Sequence, residues 1–399
     1  MFCPHCGREY SGPARFCTGC GAAIAPAAAA LAPTSPAIAP GTPAARKNLV
    51  EHMSSRLNRL AGTEKLEGFS LSDMFSQVFR KRSPEEVEDY LITGTLKTTP
   101  AITEVQTGWP HPWLFARVLG ALVLAYILLE IAWGQFQNPN LIPGLMLLGN
   151  FAVPLAMVVL FFEMNTPRNV SLSRLASLFL SGSVISLFIT LIGYGAAGQT
   201  LSWMGASEAG VIEELGKLAA VIVIMRGAQR YKYILNGLLV GATVGAGFAA
   251  FESAGYAFSA IFQTHNVNVM LHEILLRAVD APFGHIAWTA IAAGALWRAK
   301  GEAPFRLGVL KDGTFLKTLM IPIVLHAFWD FGYVPHWLVQ VIVYPIDYFV
   351  IFGLVQQGLH QVRDDQKRML AENLSALQAS APGLAAAATS AAAGAMTVQ

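Results

Sequence analysis

From about residue 114 to residue 358 the chain is a succession of apolar segments, approximately 114–134, 141–162, 175–196, 209–225, 234–259, 280–297, 318–333 and 337–357. A helix needs about 20 apolar residues to cross the hydrocarbon core of a bilayer. Backbone groups in lipid must be satisfied within the protein, which makes helices the default. The pattern therefore predicts an all-α polytopic membrane protein of about eight transmembrane helices. Composition agrees: 54% of residues are hydrophobic and only 13% are charged, where a soluble domain carries about 25% charge. An ordinary soluble enzyme is excluded, and so is a disordered chain, which would be poor in apolar residues. A net charge of +2 gives no argument for a nucleic-acid partner.

The four cysteines lie in the first twenty residues. Cys3 and Cys6 form one CxxC pair, Cys17 and Cys20 a second, and Gly7 and Gly21 follow them where a knuckle turn needs free φ. Two such knuckles make a closed four-thiolate set for structural zinc, with no open position for chemistry. The opening residues lack the basic start and apolar core of a signal peptide. The expected organisation is a zinc ribbon over 1–24 and an Ala/Pro linker over 25–46. A cytoplasmic amphipathic helical region follows over 47–112, with a helix starting at Ser83-Pro84. The membrane core covers 113–358, and a low-complexity cytoplasmic tail covers 359–399, read as disordered after about Asp365. Orientation follows from the loops. Arg168, Arg174, Arg226, Arg230, Lys232, Arg298, Lys300, Arg306, Lys311 and Lys317 fall on one side, and only Arg277 on the other. This bias places both termini in the cytoplasm of a cell-membrane protein.

Ionisable residues inside spans cost about 2.5–3.5 kcal/mol each on insertion scales and call for a reason. The fourth segment holds Glu213, Glu214 and Lys217, the fifth Glu252 and Tyr256, the sixth His285, and the seventh His326 and Asp330. Helical spacing lets either Glu213 or Glu214 reach Lys217, and puts His326 and Asp330 on one face. That second spacing suits two metal ligands or a histidine oriented by a carboxylate. With the orientation above, all of these residues lie in the outer half of the membrane, so they read as one buried polar site. Taken singly, each has a plainer reading. Glu213, Glu214 and Lys217 could be a structural ion pair, Glu252 a buried acid bonded to Tyr256, His285 a satisfied core histidine, and Arg277 an interface anchor. His265, His272 and His336 read as solvated. Gly237, Gly241, Gly245 and Gly247 fit helix packing. Asp347 could be a packing acid or a partner of Lys217.

The four motifs in this order resemble the PrsW family of intramembrane proteases, which is similar to the CAAX-prenyl-protease-like and bacteriocin-immunity group. The residues that carry the resemblance are Glu213-Glu214-x-x-Lys217, Phe251-Glu252-xxx-Tyr256, Arg277 through Pro282 to His285, and His326-xxx-Asp330. Ser253 stands where asparagine would be more usual. The resemblance covers roughly residues 110–335. It implies hydrolysis of membrane-tethered protein substrates, with anti-sigma factors as the associated class, and catalytic roles for Glu213, Glu214, Lys217, Glu252, His285, His326 and Asp330. Two mechanisms stay open. A glutamate activates water with the histidines stabilising the oxyanion, or His285, His326 and a carboxylate such as Asp330 hold a catalytic zinc. The lipid bilayer is an expected partner, as is a cytoplasmic protein for the ribbon. The rival readings are a transporter or proton relay built on the same residues, and a non-catalytic membrane scaffold.

Overall fold

A computed structural model describes residues 53–380. The ribbon cysteines, the linker and the extreme C-terminus lie outside the described residues. Those described form helices and connecting turns, with no strand among them.

Helix α1 (Pro84–Leu91) begins as expected at Ser83. The Ser83 hydroxyl accepts from Glu86 N and the Glu86 carboxylate accepts from Ser83 N, a closed capping box. The apolar region then folds as α2 (Leu114–Phe136), α3 (Ile142–Met164), α4 (Ser183–Leu201), α5 (Ala209–Met225), α6 (Ile234–Thr264), α7 (Val267–Asp280), α8 (His285–Lys300), α9 (Gly313–Trp329) and α10 (His336–Ser380). A short helix, Leu172–Ser177, and a π-helical turn, Leu178–Gly182, lead into α4.

Every apolar segment of the sequence contains a helix, although the segment 280–297 is broken before His285 and the segment 318–333 is helical only to Trp329. Five helical stretches are long and apolar enough to cross a membrane: Leu114–Phe136, Pro139–Met164, Leu172–Ala197, Ile234–Thr264 and His336–Ala376. Gly313–Trp329 is a shorter apolar helix. Helices α5 and α8, of 17 and 16 residues, rise about 25 Å at 1.5 Å per residue, short of a full crossing of about 30 Å.

Helix α6 is the axis of the bundle: 94% of its apolar window is enclosed, against 6% for α2. Its near-total enclosure rests on glycine. A Cβ at Gly241 would collide with the Thr289 carbonyl of α8, one at Gly245 with the His285 carbonyl, and one at Gly237 with Trp297. Gly247 meets Ser183 of α4 in the same way. Absent side chains let α6 and α8 touch backbone to backbone, as small residues do between helices in lipid.

Two expectations need correcting. Residues 267–280 are not a loop but the amphipathic helix α7, which buries Met270 and Ile274 against α3 and α6. The C-terminal tail does not become irregular after about residue 365. Helix α10 runs on to Ser380, burying Leu359, Val362 and Asp365. Gln366 Nε2 donates to the carbonyls of Ile102 and Val105 at 2.7 and 2.6 Å, which ties this extension to the segment before the first span. Residues 359–380 hold only three alanines; their Leu, Met, Lys, Arg, Gln and Glu are good helix formers.

Candidate active site

Alternating helix directions bring the polar motifs to one end of the bundle. Glu213, Glu214 and Lys217 are in the first half of α5, and Glu252 is in the second half of α6. His285 is the first residue of α8, and His326 is in the last turn of α9. The break before His285 comes from Pro282 and Gly284: a 3-10 turn, Ala281–Phe283, and non-helical Gly284 end α7 and start α8.

The side chains form one connected network. Lys217 Nζ lies 2.6 Å from Glu214 Oε1, 3.8 Å from Glu213 Oε2 and 2.8 Å from His285 Nδ1. An ammonium only donates, so His285 Nδ1 accepts and Nε2 carries the proton. That Nε2–H donates to Glu252 Oε2 at 2.8 Å. The same oxygen accepts from Arg277 Nη2 at 2.6 Å, and Arg277 Nε donates to Ser253 Oγ at 2.9 Å. On the other side, His326 Nδ1 is 2.8 Å from Glu214 Oε1, and its Nε2 is 3.3 Å from Asp330 Oδ2. Trp288 stacks on the His326 ring, centroids 4.3 Å apart.

Burial divides the two adjacent acids. Glu214 and Lys217 are 0% exposed and do not line the cavity at the centre of the network. Glu213 does, with Glu252, Arg277, His285, His326 and Asp330, around about 300 Å³ of space. Glu213 Oε1 accepts from Tyr194 at 3.0 Å. Its Oε2 is buried with no hydrogen-bond partner and lies 3.9 Å from both His285 Nδ1 and His326 Nε2.

All seven candidate residues thus meet in one place, and the structure adds Arg277, Tyr194 and Trp288. Arg277 is not a free interface anchor. It clamps Glu252, while Tyr256 lies beneath its guanidinium at 4.0 Å and does not bond Glu252. Ser253 is the acceptor for its Nε. Asp347 makes no direct ion pair with Lys217: it is fully buried on α10, and neither of its oxygens has a hydrogen bond. His336 lies 3.4 Å from Asp280.

The donor set suits a metal ion. Among the described residues, Glu213, His285 and His326 offer ligand atoms that all lie within 4.8 Å of one another. Tetrahedral zinc, with bonds of about 2.0–2.2 Å, wants ligands about 3.4 Å apart. Each histidine also gives its other nitrogen to a carboxylate, His285 to Glu252 and His326 to Glu214, the outer arrangement that fixes metal-binding imidazoles. Asp330, the carboxylate expected from the sequence, faces the same His326 nitrogen at 3.3 Å. The Lys217–His285 hydrogen bond would have to yield to such an ion.

Residues 170–355 match the family described as PrsW family intramembrane metalloprotease, and residues 2–24 match a zinc-ribbon domain. The first match begins later than the sequence motifs implied and extends into α10, leaving α2 and α3 outside it. No curated protein and no solved structure matches the chain.

Proposed function

We propose, from the premise that residues 170–355 belong to the PrsW family of intramembrane proteases, that this multi-pass membrane protein hydrolyses peptide bonds of membrane-tethered polypeptides at the Glu213–His285–His326 centre. The observation that carries this reading is the cavity-facing Glu213 Oε2, buried, without a hydrogen-bond partner, and equidistant from two imidazole nitrogens.

Glu213, His285 and His326 would hold a divalent metal, which would supply Lewis-acid polarisation of the scissile carbonyl when bound. The chain's own residues do the rest. A carboxylate facing the cavity takes the proton of the attacking water, the water oxygen bonds to the carbonyl carbon, and the C–N bond breaks as the proton passes to the leaving amine. Glu213 or Asp330 serves in this role, according to whether Glu213 is engaged as a ligand. Glu252, held by Arg277, fixes the His285 tautomer. Glu214, paired with Lys217, holds His326 by Nδ1. These are positioning roles.

The hydrogen-bonded series from Arg277 to Asp330 could also carry protons. Its two ends line the same cavity, so it leads back to where it begins and offers no path through the bundle. This favours hydrolysis over transport. The loop charges favour eight crossings with both termini cytoplasmic and the cavity in the outer half. Anti-sigma-factor-like proteins fit as the substrate class, and the ribbon as a zinc-bound module for a cytoplasmic partner.

In liposomes that contain a membrane-tethered reporter, Glu213→Gln, Glu252→Gln and His326→Ala should each lower cleavage by roughly 10²–10⁴-fold while the protein still inserts. Wild-type cleavage by all three variants would sink the assignment.

A further inference from the structure

The end of the bundle opposite the cluster holds a second cavity, of about 610 Å³, where α1 and the segment before α2 meet the loop after α3. Arg80, Arg82, Arg168, Tyr90, Trp113 and Glu163 line it. The buried Glu163 carboxylate is already committed to the start of α2. It accepts from the backbone N–H groups of Trp113, Leu114 and Phe115 at 2.8, 2.9 and 2.8 Å, and from the Tyr90 hydroxyl at 3.2 Å. Its charge offsets the helix N-terminus and leaves the arginines uncompensated.

Those arginines are crowded. The Arg82 and Arg117 guanidinium groups lie 4.0 and 4.7 Å from the Trp113 ring centroid, and that of Arg168 lies 3.6 Å from that of Tyr90. Arg82 Nη1 and Arg117 Nη2 both donate to the Arg80 carbonyl. Burial, and then the charges of Arg80 and Arg117, hold the Arg82 guanidinium below its usual value. None of the four arginines forms an ion pair with a described residue, although Glu104 also lines the cavity. Thr166 adds a buried hydroxyl with no hydrogen-bond partner to the same wall. A group of like charges with aromatic faces behind it, and no carboxylate in ion-pair contact with it, is stabilised by an anion from outside.

We propose that this cavity is a binding site for a phosphate-bearing anion, and that its place beside the first turn of α2 matches the headgroup of an anionic phospholipid. Guanidinium forks pair with phosphate oxygens in two-point contacts. Trp113 immediately precedes the first apolar span, the level at which headgroups sit. Basic pockets beside membrane helices select anionic lipids by this chemistry. The site is independent of the peptidase reading, because none of its residues touches the Glu213 cluster.

The full chain, purified in detergent, can be offered phosphatidylglycerol and phosphatidylcholine in equal amounts and examined by native mass spectrometry. The expected result is one retained phosphatidylglycerol, preferred by about tenfold or more. The preference should be lost in Arg82→Gln/Arg168→Gln and kept in Arg226→Gln/Lys311→Gln, which removes two other exposed basic side chains. Arg168→Lys keeps the charge but not the fork, and should weaken retention partly with the fold intact. Inorganic phosphate forms a separate arm: binding of phosphate that depends on Arg82 and Arg168, without lipid preference, supports the phosphate chemistry and makes the ligand a soluble ion. Equal retention of the two lipids with no phosphate binding overturns the proposal. So does an equal loss in both double variants.

Discussion

At one end of the bundle Glu213, Glu214, Lys217, Glu252, Arg277, His285, His326 and Asp330 compensate one another through short contacts. At the other end Arg80, Arg82, Arg117 and Arg168 share one sign and have no described ionic partner. The difference follows from the surroundings. Inside the bundle neither water nor salt can screen a charge, so acids and bases are built in together. Near the membrane surface a charged group can wait for a counter-ion from the solvent or the lipid. The first region is complete within the chain apart from an ion and a substrate. The second needs something from outside to be complete.

The comparison can be broken most easily at Glu214. Glu214→Gln leaves Lys217 buried beside a neutral group and should cost about 3–5 kcal/mol of stability, read from thermal unfolding in detergent. Lys217→Met on the same background should restore much of that stability without restoring cleavage. Arg168→Gln at the other end should change stability by less than about 0.5 kcal/mol. Equal effects at the two ends would remove the distinction. An effect between those two is expected at Gly245, where α6 meets the His285 carbonyl. Gly245→Leu should cost about 1–3 kcal/mol through overpacking. It should also lower kcat more than it raises KM, because it displaces the reacting centre's His285 from Glu252. Unchanged turnover in that variant would show that the α6–α8 approach does not position the site.

The helices were legible because hydropathy reports removal from water, into lipid for α2 and into the bundle for α6, and the apolar runs between residues 114 and 358 are mostly helical. The site was legible because Glu213, Glu214, Lys217, Glu252, His285, His326 and Asp330 are charged or titratable groups where apolar ones belong. What hydropathy does not report was harder to see. Helix α7 is amphipathic and reads as a polar loop. Tyr194 and Trp288 are ordinary residues of apolar segments until α5 and α9 pack against them. Arg277 lies between two spans, where an interface anchor is the plainer reading. The division between Glu213 and Glu214 depends on about 100° of helix rotation, which decides that one faces the cavity and the other faces Lys217 and His326. The extension of α10 was hidden by its polarity, because residues 363–373 are mostly charged or polar and carry no apolar run, although most of them are good helix formers. Glu163 lies just past the apolar run 141–162, so nothing in the sequence marked it as the cap of α2.

The most direct measurement is zinc content and cleavage on one sample: the full chain with Cys3, Cys6, Cys17 and Cys20 all replaced by serine, so that the ribbon cannot contribute metal. About one zinc per chain should remain, as expected of a single three-ligand site, and a membrane-tethered reporter should still be cut. Adding Glu213→Gln or His326→Ala should remove the metal and the cleavage together. A metal-free quadruple variant that cleaves at the wild-type rate would contradict the account.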